Sequence, residues 1–198
     1  MYKVSITLLA VLVLNAAKPQ EGVAATLVGN NVANFSVLKF MNTSTPIWTV
    51  LTSRQPPRMC MVDMVNNTTE NIIYFNRSWM DDGGIWVHHK CEGYVDNTPA
   101  MKDTMSVKCR VIAPMAKFEV TYELLEFADG NNTCGVFHVY TARDHKGEDW
   151  YDLRSKYNNW TGPLTTCLEQ FNIKRNASGQ SHTVYNNSTC LHNKFWHR

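Results

Sequence analysis

Phe118-Glu119-Val120-Thr121-Tyr122-Glu123-Leu124-Leu125-Glu126-Phe127 alternates apolar and polar side chains at every step as far as Leu124. Successive side chains of a strand point to opposite faces, so this period marks a strand with one buried and one wetted face. If the apolar set is the buried one, Phe118, Val120, Tyr122 and Leu124 turn inward and Glu123 turns outward. Asp129-Gly130-Asn131-Asn132 then ends the strand with turn-forming residues.

On either side the chain repeats this plan. Strands are expected at residues 35–41, 59–65, 71–79, 84–91, 104–112, 118–127, 134–141 and 150–154. Turn clusters such as Asn42-Thr43-Ser44-Thr45-Pro46, Asp81-Asp82-Gly83-Gly84, Asp96-Asn97-Thr98-Pro99 and Lys146-Gly147 separate them. Short strands at regular spacing, with no helices between them, predict an antiparallel sandwich or barrel. Only after residue 160 does the period change. Leu164, Cys167, Leu168 and Phe171 recur at helical spacing behind Pro163, with Thr161 or Gly162 as cap, which predicts one helix over 163–174. A short extended stretch over 181–185 follows.

Composition excludes several classes. The 198 residues are 44% hydrophobic and 11% aromatic, enough for the core of one domain and too apolar for disorder. With 19 Lys and Arg against 17 Asp and Glu, and no basic run, nothing favours nucleic acid or an anionic membrane surface.

Met1-Tyr2-Lys3, the apolar run 6–14 and Val23-Ala24-Ala25 have the form of a secretory signal peptide cleaved near Ala25. The apolar run falls well short of the roughly 20 residues a membrane span needs. The expected mature chain is therefore a single secreted domain, 26–198. In an oxidising compartment Cys60, Cys91, Cys109, Cys134, Cys167 and Cys190 read as three disulfides, whose pairing the spacing leaves open. The 19 asparagines gain a role as well, because glycosylation sequons begin at Asn34, Asn42, Asn66, Asn67, Asn76, Asn131, Asn159, Asn176, Asn186 and Asn187. Each site that carries a glycan marks surface.

Pro46-Ile47-Trp48, Met59-Cys60-Met61-Val62, Cys134-Gly135-Val136-Phe137-His138-Val139, Trp150-Tyr151-Asp152-Leu153, the helix from Pro163 to Asn172 and a last Cys190 form an ordered series. The series resembles the landmarks of the tick salivary lipocalins, the histamine-binding-protein family, across nearly the whole mature chain. The resemblance implies an eight-stranded antiparallel lipocalin-type barrel, all-β with one C-terminal helix packed outside. It implies the pairings Cys60–Cys190 and Cys134–Cys167. These leave Cys91 and Cys109, in adjacent predicted strands, for each other.

Amine-binding members of that family hold a cation with carboxylates and aromatic rings. Here the resemblance keeps Trp48 and Asp152. Asn42 stands in place of a tyrosine, Thr45 and Gly135 in place of acids, and Arg154 in place of a tryptophan; Glu123 matches a further acid but is expected to face outward. A cavity short of counter-charges suits an apolar ligand, a sterol, fatty acid or eicosanoid, as in the lipid-binding and japanin-like members. Histamine or serotonin is the alternative.

The expected ligand-binding residues are Phe40, Trp48 and Trp86; Phe118, Val120 and Tyr122 from the opening stretch; and Phe137, Val139, Trp150 and Asp152 from the last strands. No cofactor or metal is expected, because His88 and His89 fall on opposite faces of a strand and Cys91 is read as oxidised. No nucleophile and base share a recognisable spacing, so an enzyme is not expected. Two modes of action remain: a monomer that sequesters a small hydrophobic ligand or biogenic amine, or a protein whose loops engage a host immune-cell protein.

Overall fold

The computed structural model describes residues 35–96, 98, 103–111, 118–141, 148–156, 164–175 and 179–191. The expected signal segment with its cleavage point, and the sequons at Asn34, Asn159 and Asn176, lie outside them.

Eight antiparallel strands form the body: β1 (Ile47–Thr52), β2 (Met59–Thr68), β3 (Ile72–Met80), β4 (Trp86–Val95), β5 (Thr104–Val111), β6 (Phe118–Ala128), β7 (Cys134–Thr141) and β8 (Asp149–Ser155). Each pairs with the next, and β1 pairs with both β8 and β2, so the sheet closes on itself. Closure removes both free edges. A two-residue β9 (His182–Thr183) adds to β1 near the C-terminus.

The segment expected as a first strand is instead a short helix, α1 (Val37–Met41), and the strand that completes the barrel is β1. Ser36 caps the helix, its hydroxyl accepting from the Lys39 amide at 3.3 Å. Val37, Phe40 and Met41 are buried, and at helical spacing they fall on one face. That face closes one end of the barrel, where Phe40 meets Phe137 edge-on at 5.2 Å between centroids. Gly135 admits this plug: a Cβ there would lie 3.0 Å from a Phe40 ring carbon, 3.0 Å from the Phe127 carbonyl oxygen and 2.9 Å from Leu125.

Apolar side chains form two cores. The inner one joins α1 to Ile73, Phe75, Met105, Val107, Leu125 and Phe137 inside the barrel. The outer one lies beneath α2 (Thr165–Arg175), which buries Cys167 and Phe171 alongside Leu164, Trp48, Val136 and Leu153. Disulfides tie down the outer layer at two points and the inner one at a third. Cys134–Cys167 fastens α2 to β7, Cys60–Cys190 fastens the start of β2 to α3 (Asn187–Cys190), and Cys91–Cys109 crosses between β4 and β5.

The opening stretch forms β6 with its two faces reversed from expectation. Thr121, Glu123 and Leu125 point inward and are buried, whereas Phe118 is 54% exposed and Val120, Tyr122 and Leu124 are half-buried on the outer wall. The outer apolar groups find partial cover: Lys108 lies over the Phe118 ring and Tyr122 stacks on Tyr140 at 5.3 Å. The inward polar groups find charge partners, described below. A period of two defines the faces of a strand without saying which of them is inside.

Because the contacts at Gly135 include a backbone carbonyl, Gly135→Ala should lower stability by about 1–3 kcal/mol. Urea denaturation would show a lower midpoint with an unchanged slope.

Candidate ligand site inside the barrel

Above the apolar plug, the interior is crossed by an ionic network. Asp63 on β2 and Arg77 on β3 are register partners, and Arg77 donates from Nε and Nη2 to the two Asp63 carboxylate oxygens at 2.7 and 2.8 Å. Arg77 Nη1 also donates to Glu123 Oε1 at 2.6 Å, reaching β6 across the barrel. From β8, Arg154 donates to Glu123 Oε2 at 2.5 Å and to Asp152 Oδ2 at 3.0 Å. Thr52 donates to Asp152 at 2.8 Å and Thr121 to Glu123 at 3.1 Å. The guanidinium of Arg154 also lies 4.3 Å from the centre of the Phe137 ring.

Ions this far from water persist only when partners replace their hydration. Glu123 has no exposure at all. Burial alone would push its carboxyl up, but the charges of Arg154 and Arg77, with their hydrogen bonds, outweigh it and hold it well below the usual carboxylate range. Burial likewise opposes the charge on Arg77, and Asp63 and Glu123 raise it well above its ordinary value. Glu123 and Arg77 therefore stay charged at neutral pH, in a network of three acidic side chains and two guanidiniums.

The open end is built differently. Arg54 and Arg58 rise from the loop between β1 and β2, each laid on an aromatic ring: Arg54 over Trp150 at 4.8 Å and Arg58 over Trp79 at 4.1 Å. Glu119, at the start of β6, meets Arg58 at 2.9 Å and Arg54 at 3.9 Å. Burial pushes the Arg58 guanidinium down, a change that Glu119 offsets in part. His89 sits edge-on to Trp79 at 4.5 Å, and burial, with the charge of Arg58, lowers its pKa. Between network and mouth lies a cavity of about 20 Å³, bordered by Thr49, Met61, Trp150 and the arginines. That is room for about one water molecule.

Among the residues expected from the sequence, Phe40, Phe137 and Val139 pack in the inner core, and Trp150 and Asp152 line the cavity. Trp48 faces the other way and is buried against Tyr185 at 4.8 Å. Trp86 stacks on His88 at 6.5 Å on the outer wall, where Phe118, Val120 and Tyr122 also lie. Gly135 lies where an acid would have no space, and Asn42 and Thr45 are exposed. Arg154, expected as a departure from the amine-binding pattern, holds the interior acids together. The interior expected to keep Asp152 alone among its acids also contains Asp63 and Glu123, because β6 turns its polar face inward and β2 contributes an acid. Asp63 and Arg77 are each the one charged residue of their strands, and such isolated charges are the signal that marks a buried pair.

No family model and no curated protein matches the sequence. Solved structures do match. H1 crustacyanin from the lobster Homarus americanus aligns with a TM-score of 0.54 at 9% identity, covering 76% of this chain and 81% of that one. The siderocalin Ex-FABP, described as functioning through dual ligand specificities, aligns at 0.51 with 8% identity, over 71% of this chain and 88% of its own. A mutant of LTBP1 in complex with leukotriene C4 aligns at 0.50 with 11% identity, over 77% and 88%. At these identities the likeness is one of fold: an eight-stranded antiparallel barrel of lipocalin type with a helix near the C-terminus.

Glu123→Gln removes the carboxylate that Arg77 and Arg154 share, leaves each with an aspartate partner and with donors that one amide oxygen cannot all satisfy, and should cost about 1–3 kcal/mol. The pH dependence has a definite sign. A carboxyl whose folded pKa lies below its ordinary 4.5 contributes full stability above that value and loses it as pH falls toward the folded one. The wild-type melting temperature should fall on acidification below about 4.5, and the variant, measured by the same calorimetry, should show a flatter decline.

Proposed function

We propose that the chain is a secreted, non-enzymatic binding protein that captures a mostly apolar small molecule with an acidic head, a fatty acid or eicosanoid, at the mouth of its barrel. The observation that carries this reading is the chemistry of the groups left over. Arg54 Nε, Arg154 Nε and Trp150 Nε1 are buried, border the same cavity and make no hydrogen bond among the described residues. All three are N–H donors, and a buried donor without an acceptor is costly. A carboxylate brings two acceptor oxygens and a matching charge. Trp79, Trp150 and Met61 offer apolar surface beside it.

The same chemistry disfavours an amine. A cation would meet Arg54, Arg58, Arg77 and Arg154, while the carboxylates it needs are already bonded to those arginines. A sterol would bring a single hydroxyl to several donors. The reading is supported by neighbours of the same fold: the siderocalin Ex-FABP is described as having dual ligand specificities, and an LTBP1 mutant was solved in complex with leukotriene C4.

Secretion is supported by the three disulfides, which suit an oxidising compartment, and by the N-terminal signal pattern. Exposed asparagines at Asn42, Asn66, Asn67, Asn131, Asn186 and Asn187 leave room for glycans, while Asn76 is half-buried within β3. The resemblance to tick salivary lipocalins makes a host inflammatory mediator the natural target, with the chain acting as a monomer. Japanin-like membership and action through surface loops on a host immune-cell protein are the other readings that the resemblance leaves open.

Isothermal titration of the secreted, deglycosylated protein with oleate, oleyl alcohol and histamine tests the proposal. Oleate should bind more tightly than the alcohol, and Arg54→Gln should weaken oleate by about tenfold or more, the value of one hydrogen bond to a charged group. Tight histamine binding with no response to oleate would refute it.

A further inference from the structure

The mouth arginines already hold a carboxylate, that of Glu119. In the closed sheet β6 lies four strands from β2 in either direction, so Arg58, one residue before β2, and Glu119, one residue into β6, meet across the full width of the barrel. Both Glu119 oxygens accept from Arg58 Nη2, at 3.0 and 2.9 Å, and Arg54 stands 3.9 Å from one of them. This bridge covers a cavity with room for little more than one water molecule.

We propose that Glu119 is an internal stand-in for the ligand's acid group, a latch across the barrel mouth that an incoming carboxylate opens by displacing it. The inference deepens the reading of an acidic ligand and rests on it. Three observations support it. Glu119 is 29% exposed, unlike Glu123 and Asp63 beneath it, so its side chain can swing into water cheaply. Its hydrogen bonds among the described residues go to Arg58 alone, so one exchange of partner releases it. The arginines have other supports, the Trp79 and Trp150 rings, and these hold the clamp in shape after Glu119 leaves. Burial raises the Glu119 pKa, but Arg58 and then Arg54 bring it below its ordinary value, so the latch is charged when closed. A ligand must therefore outcompete a carboxylate to enter, which selects for an acid over a neutral lipid of the same length.

The test compares the full secreted chain with Glu119→Gln and Glu119→Ala, the second removing any acceptor at this position. Each is titrated with oleate and oleyl alcohol at one ionic strength. Both variants should bind oleate about fivefold more tightly than wild type, the worth of a part-exposed ion pair, and should gain at least as much for the alcohol, which in wild type cannot displace the latch. Unchanged or weaker oleate binding in the two variants overturns the latch while leaving the acidic-ligand reading standing. Failure of either variant to fold, read by circular dichroism, also overturns it, because a latch open to water carries little stability. A wild type that binds no oleate refutes the underlying reading itself.

Discussion

The structure depends on one carboxylate that never meets water. Glu123 lies between Arg77 and Arg154, on strands at opposite sides of the barrel interior, and the three ions satisfy one another only if β3, β6 and β8 present the right faces at the right heights. A one-residue slip of β6 would turn Glu123 outward and leave the buried Arg77 and Arg154 without the carboxylate that joins them, with only Asp63 and Asp152 to accept their donors. The network is thus a constraint on register more than a source of net stability. It rules out the packing that the hydrophobic pattern of β6 would choose unaided.

From that constraint follows the division of the barrel into three levels. The apolar plug of α1 and the inner core closes one end, the ionic network forms a rigid floor, and the Arg54, Arg58 and Glu119 bridge covers the other end. Each carboxylate in the floor is bonded to an arginine, and the Arg154 Nε donor is left over on its upper side. Unused binding capacity lies above it, among donors that border a small cavity. The mouth is also the level most open to water and the one whose bonds exchange most easily, so adaptability and unmet chemistry coincide there.

Much of the architecture was legible in the chain. The expected strands overlap β2 through β8, and the helix expected over 163–174 is α2 at Thr165–Arg175, because turn clusters and the change of period are local signals. Residues 35–41 misled: a short apolar run ahead of a turn cluster suits a strand, yet Ser36 caps a helix that buries Val37, Phe40 and Met41, and docking against Phe137 decides between the two. The site was less legible. Trp150 and Asp152 line the cavity, but Arg54, Arg58, Asp63, Arg77 and Glu119 are not among the expected residues, since each belongs to a cluster assembled from separate parts of the chain.

The sequence by itself determined a disulfide-tied antiparallel β architecture, sandwich or barrel, with an appended helix, because strand period, turn residues and cysteine count act over short range. Only the tertiary structure decided which face of β6 looks inward, and with it the character of the interior. The energy of a buried carboxylate is set by arginines 46 residues before it and 31 residues after it, and no local pattern carries that information.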